Sequence, residues 1–369
     1  MARRLEALSI RNFRAIDELK IPEVTDINLI VGKNSTGKTT ILEAIRLLLV
    51  GDLRPKLYSL LSDREEYTFG RRENFNRALA SSGGDLAFNT LFWGRPELSE
   101  QCHFEIDGGP SGPFLEVRFV WLRVERGSDA SIRYIPSPTP DTEPDTVPGF
   151  TFNRMEGIQA VLPLDRINRV INRRALRDDI EGDIVFLPSS GMSMDEIGRL
   201  WDSVALTDDE DDVVDALRII APNLEKLVMV QSPDSRSDRM LMAKVSQFRG
   251  PIPFKSLGEG AGHLLSIALA LIKARGGALL IDEIATGIHY SVQPTLWEMI
   301  SRQSSRYKIQ VFATTHSLDC VRALRSADQV PSGAVPSLFR IEKTDFGLRA
   351  VTFSSEEIHV IDEEEIEVR

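Results

Sequence analysis

The octapeptide Gly32-Lys33-Asn34-Ser35-Thr36-Gly37-Lys38-Thr39 sets the expected architecture of this chain. Ile27–Val31 before it is a largely continuous apolar run, the pattern of a strand buried on both faces. Lys38–Leu49 after it has helical spacing. Strand, glycine loop and helix in that order form a phosphate cradle. Glycines let successive N–H groups converge on phosphate oxygens, and the helix adds its positive N-terminal end. Lys38 is expected to reach the terminal phosphates and Thr39 to offer a hydroxyl to Mg²⁺. Gly32, Lys33, Asn34, Ser35, Thr36, Gly37 and Thr40 complete the expected binding set.

A matching signature lies near the other end. Ala278-Leu279-Leu280-Ile281 is an apolar strand closed by Asp282-Glu283. A carboxylate ending such a strand sits at the C-terminal edge of the sheet, where ligands bind in these folds, so Asp282 suits the Mg²⁺ shell. Glu283 points elsewhere and suits a general base that orients the attacking water. The competing reading is an acidic helix start. His316 follows the strand Ile309–Ala313 and a Thr314-Thr315 pair. A histidine there can contact a γ-phosphate; the plainer alternative is a loop histidine satisfied by its neighbours. Lys38, Glu283 and His316 are thus the candidate catalytic residues. Ser256-Leu257-Gly258-Glu259-Gly260 opens a further helix and reads as a second anion site, with Ser256, Gly258 and Gly260 as its contacts. Its alternative is an ordinary capped helix with glycine turns. With one cradle already holding a nucleotide, a second implies two bodies closing on shared ATP.

Between these ends the pattern changes. Leu5–Ile10 alternates as a strand, and Cys102–Ile106 and Leu115–Val124 are strand candidates. Pro136, Pro138, Pro140, Pro144 and Pro148 predict a surface loop or linker. Arg166–Arg177 predicts a helix, with Arg166, Arg169, Arg173 and Arg177 on one face. That face could track phosphates, or be solvated and paired with Asp165, Asp178 and Asp179. Ile184–Leu187 predicts a short strand, and Asp208–Asp212 an acidic run entering a helix. The tail at 362–365 is a second acidic run. After Ser256, helix and strand alternate (Ala261–Ala274, Ala278–Ile281, Gln293–Ser304, Ile309–Ala313, Leu318–Leu324), which implies a parallel sheet and an α/β fold.

Composition narrows the class. The 369 residues are 42% hydrophobic and 27% charged, enough for a sizeable core. A net charge of -11 argues against coating nucleic acid everywhere while leaving room for a local basic patch. Cys102 and Cys320, isolated from one another, neither staple a secreted scaffold nor build a thiolate metal site. The basic start lacks the apolar core of a signal peptide, and no run approaches ~18 apolar residues. A cytoplasmic protein with no membrane partner is the expectation.

The order of these signatures resembles the ATP-binding-cassette (ABC) type P-loop ATPases of the SMC, RecF and OLD kind, and most of all the stand-alone OLD-like ATPases of bacteria. The residues that carry the resemblance are Ile10-Arg11-Asn12-Phe13-Arg14-Ala15-Ile16, the loop Gly32–Thr39, Ser256–Gly260, Leu279–Glu283 with Gly287-Ile288-His289-Tyr290, and Gln310–Ser317. It covers 1–50 and 210–330 well and the middle weakly. The resemblance implies an ABC-type head with a mixed or parallel sheet core, an antiparallel β region and an inserted helical subdomain. Its implied divisions are an N-terminal lobe over 1–125, an inserted linker and helical region over 126–210, a C-terminal lobe over 211–345 and a tail over 346–369. It further implies a head-to-tail homodimer with two ATP between the subunits. Ser256, Gly258 and Gly260 would then touch ATP held by the partner, and Arg14 would be a nucleotide contact rather than a surface charge. Gly262-His263 departs from relatives that carry arginine there.

Members of this group act on a separate effector, sometimes a nuclease, or on DNA, in phage defence or genome maintenance. The competing classes are a transporter ATPase subunit, a DNA-repair ATPase of the RecF/SMC type and a self-contained nuclease. Against the transporter stand the 216 positions from Thr40 to Ser256, a long insertion; against the nuclease, the 53 residues after His316, too few for a TOPRIM domain.

Overall fold

The structure is a computed structural model that describes residues 4–68, 85–128, 131–137, 145–154, 158–169, 183–233, 239–345, 347–354 and 357–358. Its centre is a sheet that joins sequence-distant strands: β11 (Ile184–Leu187), β15 (Ala278–Ile281), β16 (Gln310–Thr314), β3 (Ile27–Gly32), β17 (Pro336–Thr344) and β18 (Gly347–Phe353), in that order. The first five run parallel, and β18 returns antiparallel beside β17. A second sheet is antiparallel: β10 (Ile158–Pro163), β9 (Thr146–Arg154), β7 (Phe114–Arg126), β6 (His103–Asp107), β1 (Leu8–Phe13) and β2 (Ile16–Ile21), with β8 (Ile132–Pro136) on β7. Smaller sheets pair β4 (Tyr67–Thr68) with β5 (Asp85–Leu86), and β12 (Leu224–Gln231) with β13 (Arg239–Val245) and β14 (Ile252–Pro253).

The helices line the two cores on either face of the central sheet. They are α1 (Lys38–Leu49), α2 (Leu53–Ser62), α3 (Leu164–Arg169), α4 (Met194–Val204), α5 (Asp208–Arg218), α6 (Glu259–Lys273), α7 (Gln293–Tyr307), α8 (Leu318–Ala323) and α9 (Arg325–Asp328). Successive side chains of a strand face opposite ways, and the central strands use both faces. Ile27, Leu29 and Val31 of β3 enter one core, with α4 to α7; Ile30 enters the other, with α1, α2 and the antiparallel sheet. β15 divides likewise, Leu279 and Ile281 to one side and Ala278 and Leu280 to the other. Being buried on both faces is why these strands read as continuous apolar runs.

The proline-rich stretch departs from expectation at its ends. Pro136 closes β8, and Pro148 lies inside β9 opposite Trp121 of β7. Pro138, Pro140 and Pro144 lie outside the described residues. Proline lacks only its own N–H, so it can sit in a strand where the ladder does not require that donor. The described residues of 126–210 therefore supply four strands besides helices: β8 to β10 extend the antiparallel sheet and β11 lies at one edge of the central one. The stretch assigned to the tail begins as β18, whose half-buried residues carry no strong apolar alternation. The acidic run at 208–211 forms the first turn of α5, where Thr207 caps Asp209 N–H and the carboxylates face the positive helix end. The acidic residues 362–365 lie outside the described residues.

Candidate nucleotide site

Parallel strands put their C-terminal ends on one edge. β3, β15 and β16 are adjacent there, with Ile281 registered on Ala313 and Thr314 on Ile30. The loops leaving these strands meet although up to 284 positions separate Gly32 from His316.

The first loop is shaped by glycine. Gly32 has φ +151°, and a Cβ there would lie 2.6 Å from the Ile341 carbonyl oxygen and 2.9 Å from Thr36 Oγ1. Gly37 has φ +87° and stands at the start of α1, whose first turn receives no side-chain cap. Uncapped N–H groups at a helix start are suited to an anion. Thr36 Oγ1 closes the loop on Lys33 O at 2.9 Å. Lys38 Nζ lies 3.0 Å from Gly32 O and 3.2 Å from Lys33 O, inside the loop it belongs to. Burial pushes the Lys38 ammonium below the ordinary lysine value of 10.5, and the Glu283 and Asp282 carboxylates oppose that shift.

The second loop faces the first. Thr39 Oγ1 donates to Asp282, 3.2 Å from each carboxylate oxygen. His316 bridges the remaining groups, with Nδ1 3.3 Å from Lys38 Nζ and Nε2 3.1 Å from Glu283 Oε1. An ammonium only donates, so Nδ1 accepts and Nε2–H faces the carboxylate. The backbone N–H of His316 donates to Glu283 Oε2 at 3.2 Å. One short network thus brings Lys38, Thr39, Asp282, Glu283 and His316 together.

The residues fit the groups expected of them. Among the described residues no cluster of three or more His, Cys, Asp or Glu side chains is gathered as a metal cage. Thr39 and Asp282 instead offer oxygens beside a phosphate cradle, the way Mg²⁺ is held jointly by protein and phosphate. The uncapped start of α1 offers N–H groups to those phosphates.

Other expected contacts lie differently. Ser256 and Gly258 are exposed on the turn before α6; Gly258 has φ +97°, with open space where a Cβ would stand. Gly260 is held by packing, since its Cβ would come within 2.4 Å of Gly287 O. Arg14 requires correction as a nucleotide contact. Its neighbour Ile16 packs against Gly37, but the Arg14 side chain is only 4% exposed and its guanidinium lies 3.3 Å from Glu43 and 3.0 Å from Glu66. It also donates to Leu60 O at 3.1 Å. A guanidinium held between two buried carboxylates is engaged in neutralising them rather than presented to the loop. His263 is buried, lies 3.2 Å from Ile284 O through Nε2, and burial lowers its pKa below the ordinary 6.5. On the expected arginine face, Arg166 stacks its guanidinium 4.9 Å from the Tyr134 ring. The Arg169 side chain and Arg173 and Arg177 lie outside the described residues.

Three features carried no separate sequence signal: the Thr314 hydroxyl that joins Asp282 to the Glu283 backbone, the Gly260–Gly287 approach, and the Glu43–Arg14–Glu66 cluster. The Thr314-Thr315 pair before His316 was the one available pointer to the first.

Comparison with known proteins agrees with this geometry. Residues 4–80 match a family described as "AAA ATPase domain", and residues 152–320 one described as "AAA domain, putative AbiEii toxin, Type IV TA system". An ATP/GTP phosphatase of Helicobacter pylori is 22% identical over 347 residues, 88% of each chain. The OLD nuclease of Thermus scotoductus is 46% identical over 55 residues, 15% of this chain and 10% of that one. An SMC head solved in complex with the C-terminal winged-helix domain of ScpA superposes with a TM-score of 0.51 at 14% identity, covering 97% of this chain and all of that one, and shows the fold. ATPase-domain matches over 4–80 and 152–320, the relatives above and the shared head fold together support an ABC-type P-loop ATPase similar to the OLD, RecF and SMC proteins.

Proposed function

We propose that this protein binds ATP on Gly32–Thr40 and hydrolyses it with Mg²⁺, and that ATP-dependent closure of a homodimer controls a separate effector or DNA partner. The observation that carries the reading is the convergence of Lys38, Thr39, Asp282, Glu283 and His316 on one sheet edge. Lys38 neutralises the terminal phosphates, moving from the Gly32 and Lys33 carbonyls to phosphate oxygens. Thr39 and Asp282 would hold Mg²⁺, which when bound would supply charge stabilisation to the phosphate oxygens. Glu283 accepts a hydrogen bond from the attacking water and orients it. His316 keeps Glu283 in place from both its ring and its backbone, and faces the γ-phosphate once Lys38 has moved.

Ser256 and Gly258 support the dimer reading. Both are exposed on a turn that opens α6 and are available to ATP held by a second copy, with Gly260 setting the path of that turn. Closure follows from the difference in ATP affinity between the open and closed states. The relationship to OLD and RecF proteins supports an effector or DNA as the recipient, and phage defence or DNA maintenance in the cytoplasm as the setting. Among the described residues no helix is long and apolar enough to cross a membrane.

The test is nucleotide binding and phosphate release by purified protein. Mg²⁺-dependent hydrolysis is expected in the wild type, and Lys38→Ala is expected to abolish ATP binding. Equal ATP affinity in both proteins would remove Lys38 from the site.

A further inference from the structure

Thr314 ends β16 fully buried, beside the loop that leaves β15. Its hydroxyl accepts the Glu283 N–H at 2.9 Å and donates its proton to Asp282 Oδ1 at 2.7 Å. Its carbonyl accepts the Ile284 N–H at 3.0 Å. One residue thus holds three consecutive residues of the neighbouring loop. Asp282 receives a second bond from Thr39, so its carboxylate is pinned from two sides. Glu283 has φ +54°, a left-handed conformation that a non-glycine residue keeps only when its surroundings impose it. The bonds from Thr314 to Glu283 N–H and Ile284 N–H flank that residue and supply the constraint.

We propose that Thr314 is a positioning residue for hydrolysis: its hydroxyl sets the Asp282 carboxylate toward the metal position and holds the Glu283 backbone turn that aims the general base. The inference rests on the hydrolysis reading above and adds a residue to it. Valine at this position has nearly the shape of threonine but neither donates nor accepts, so it frees Asp282 and strands the Glu283 N–H. Serine keeps both bonds. Groups that orient a metal ligand are typically worth about 10–100-fold in metal affinity or activity.

The experiment compares wild type, Thr314→Val and Thr314→Ser in kcat, in Mn²⁺ affinity with ADP by electron paramagnetic resonance, and in affinity for ATP without metal. Amide exchange at Glu283 in the nucleotide-free protein is followed alongside. Thr314→Val is expected to lose roughly 10–100-fold in kcat and in Mn²⁺ affinity. It should also expose the Glu283 amide to exchange and bind metal-free ATP as the wild type does. Thr314→Ser should restore all four. Unchanged kcat and Mn²⁺ affinity in Thr314→Val would overturn the inference, and so would a matching loss of metal-free ATP binding, which marks general damage. If the valine chain does not fold, Thr314→Ser carries the test: wild-type turnover supports the role, and a tenfold or larger loss overturns it. Absence of turnover in the wild type would instead defeat the hydrolysis reading, while Mn²⁺ affinity and amide exchange still decide what Thr314 does.

Discussion

Three glycines within five residues, Gly258, Gly260 and Gly262, look alike in sequence, and alanine at each meets a different environment. At Gly260 the new Cβ would lie 2.4 Å from the Gly287 carbonyl oxygen, a backbone atom that cannot rotate away. Either α6 or the 287–292 loop must shift, and forced overpacking of this kind costs about 1–3 kcal/mol. At Gly258 nothing lies within 4 Å, but φ is +97° with ψ 166°, a region almost confined to glycine, so alanine costs about 1–3 kcal/mol of backbone strain. Gly262 is inside α6 with ordinary helical backbone and open space around it. Alanine there gains helix propensity, about 0.5–1 kcal/mol. Near 60 °C unfolding entropy is about 2.1 cal/mol/K per residue, so for this chain ~1 kcal/mol corresponds to a Tm change of only ~1 °C. Urea titration of the nucleotide-free protein therefore resolves the series better than melting. The expected order of stability is Gly262→Ala above wild type, with Gly258→Ala and Gly260→Ala below. A Gly260→Ala protein as stable as the wild type would refute the close approach of α6 to Gly287, and a destabilised Gly262→Ala would refute the open helical environment.

Glu283→Gln should keep ATP binding and lose roughly 10²–10⁴ in turnover, the usual worth of a positioned general base; unimpaired phosphate release would remove Glu283 from that role. Mixing Lys38→Ala chains with Gly258→Arg chains should restore part of the activity, because a mixed dimer then contains one intact composite site. No rescue in verified mixed dimers, measured by phosphate release, would count against shared sites. His263 is held neutral by burial, with a folded pKa below the ordinary 6.5. The unfolded chain therefore binds the extra proton first, and stability should fall as pH drops below about 6.5 toward the lowered folded value. His263→Gln should flatten that part of a urea-midpoint profile, and an unchanged slope would show that His263 does not contribute.

Local chemistry made part of this protein legible from its sequence. Gly32–Thr39 needs only the glycine conformations, the lysine and the threonine that its neighbours in sequence supply, and α1 begins and ends where its spacing indicated. The apolar run of β3 announced burial on both faces, and the alternation of helix and strand after Ser256 announced a parallel sheet, whose C-terminal edge gathers Asp282 and His316. What sequence spacing cannot carry is which polar groups meet across strands. Arg14 sits in a conspicuous Asn-Phe-Arg run, yet its guanidinium is taken up by Glu43 and Glu66, 29 and 52 positions away, because buried carboxylates demand a cation. Pro148 belongs to a strand because β7 lies beside it. Gly260 owes its identity to Gly287, and Thr314 its bonding to the register that sets Ile281 beside Ala313. Residue type and spacing determined the phosphate loop, α1 and the strands β3, β15 and β16; the pairing of buried charges, the packing of backbone on backbone and the grip on Asp282 and Glu283 arose only when distant strands came together, since each depends on distances that no local pattern encodes.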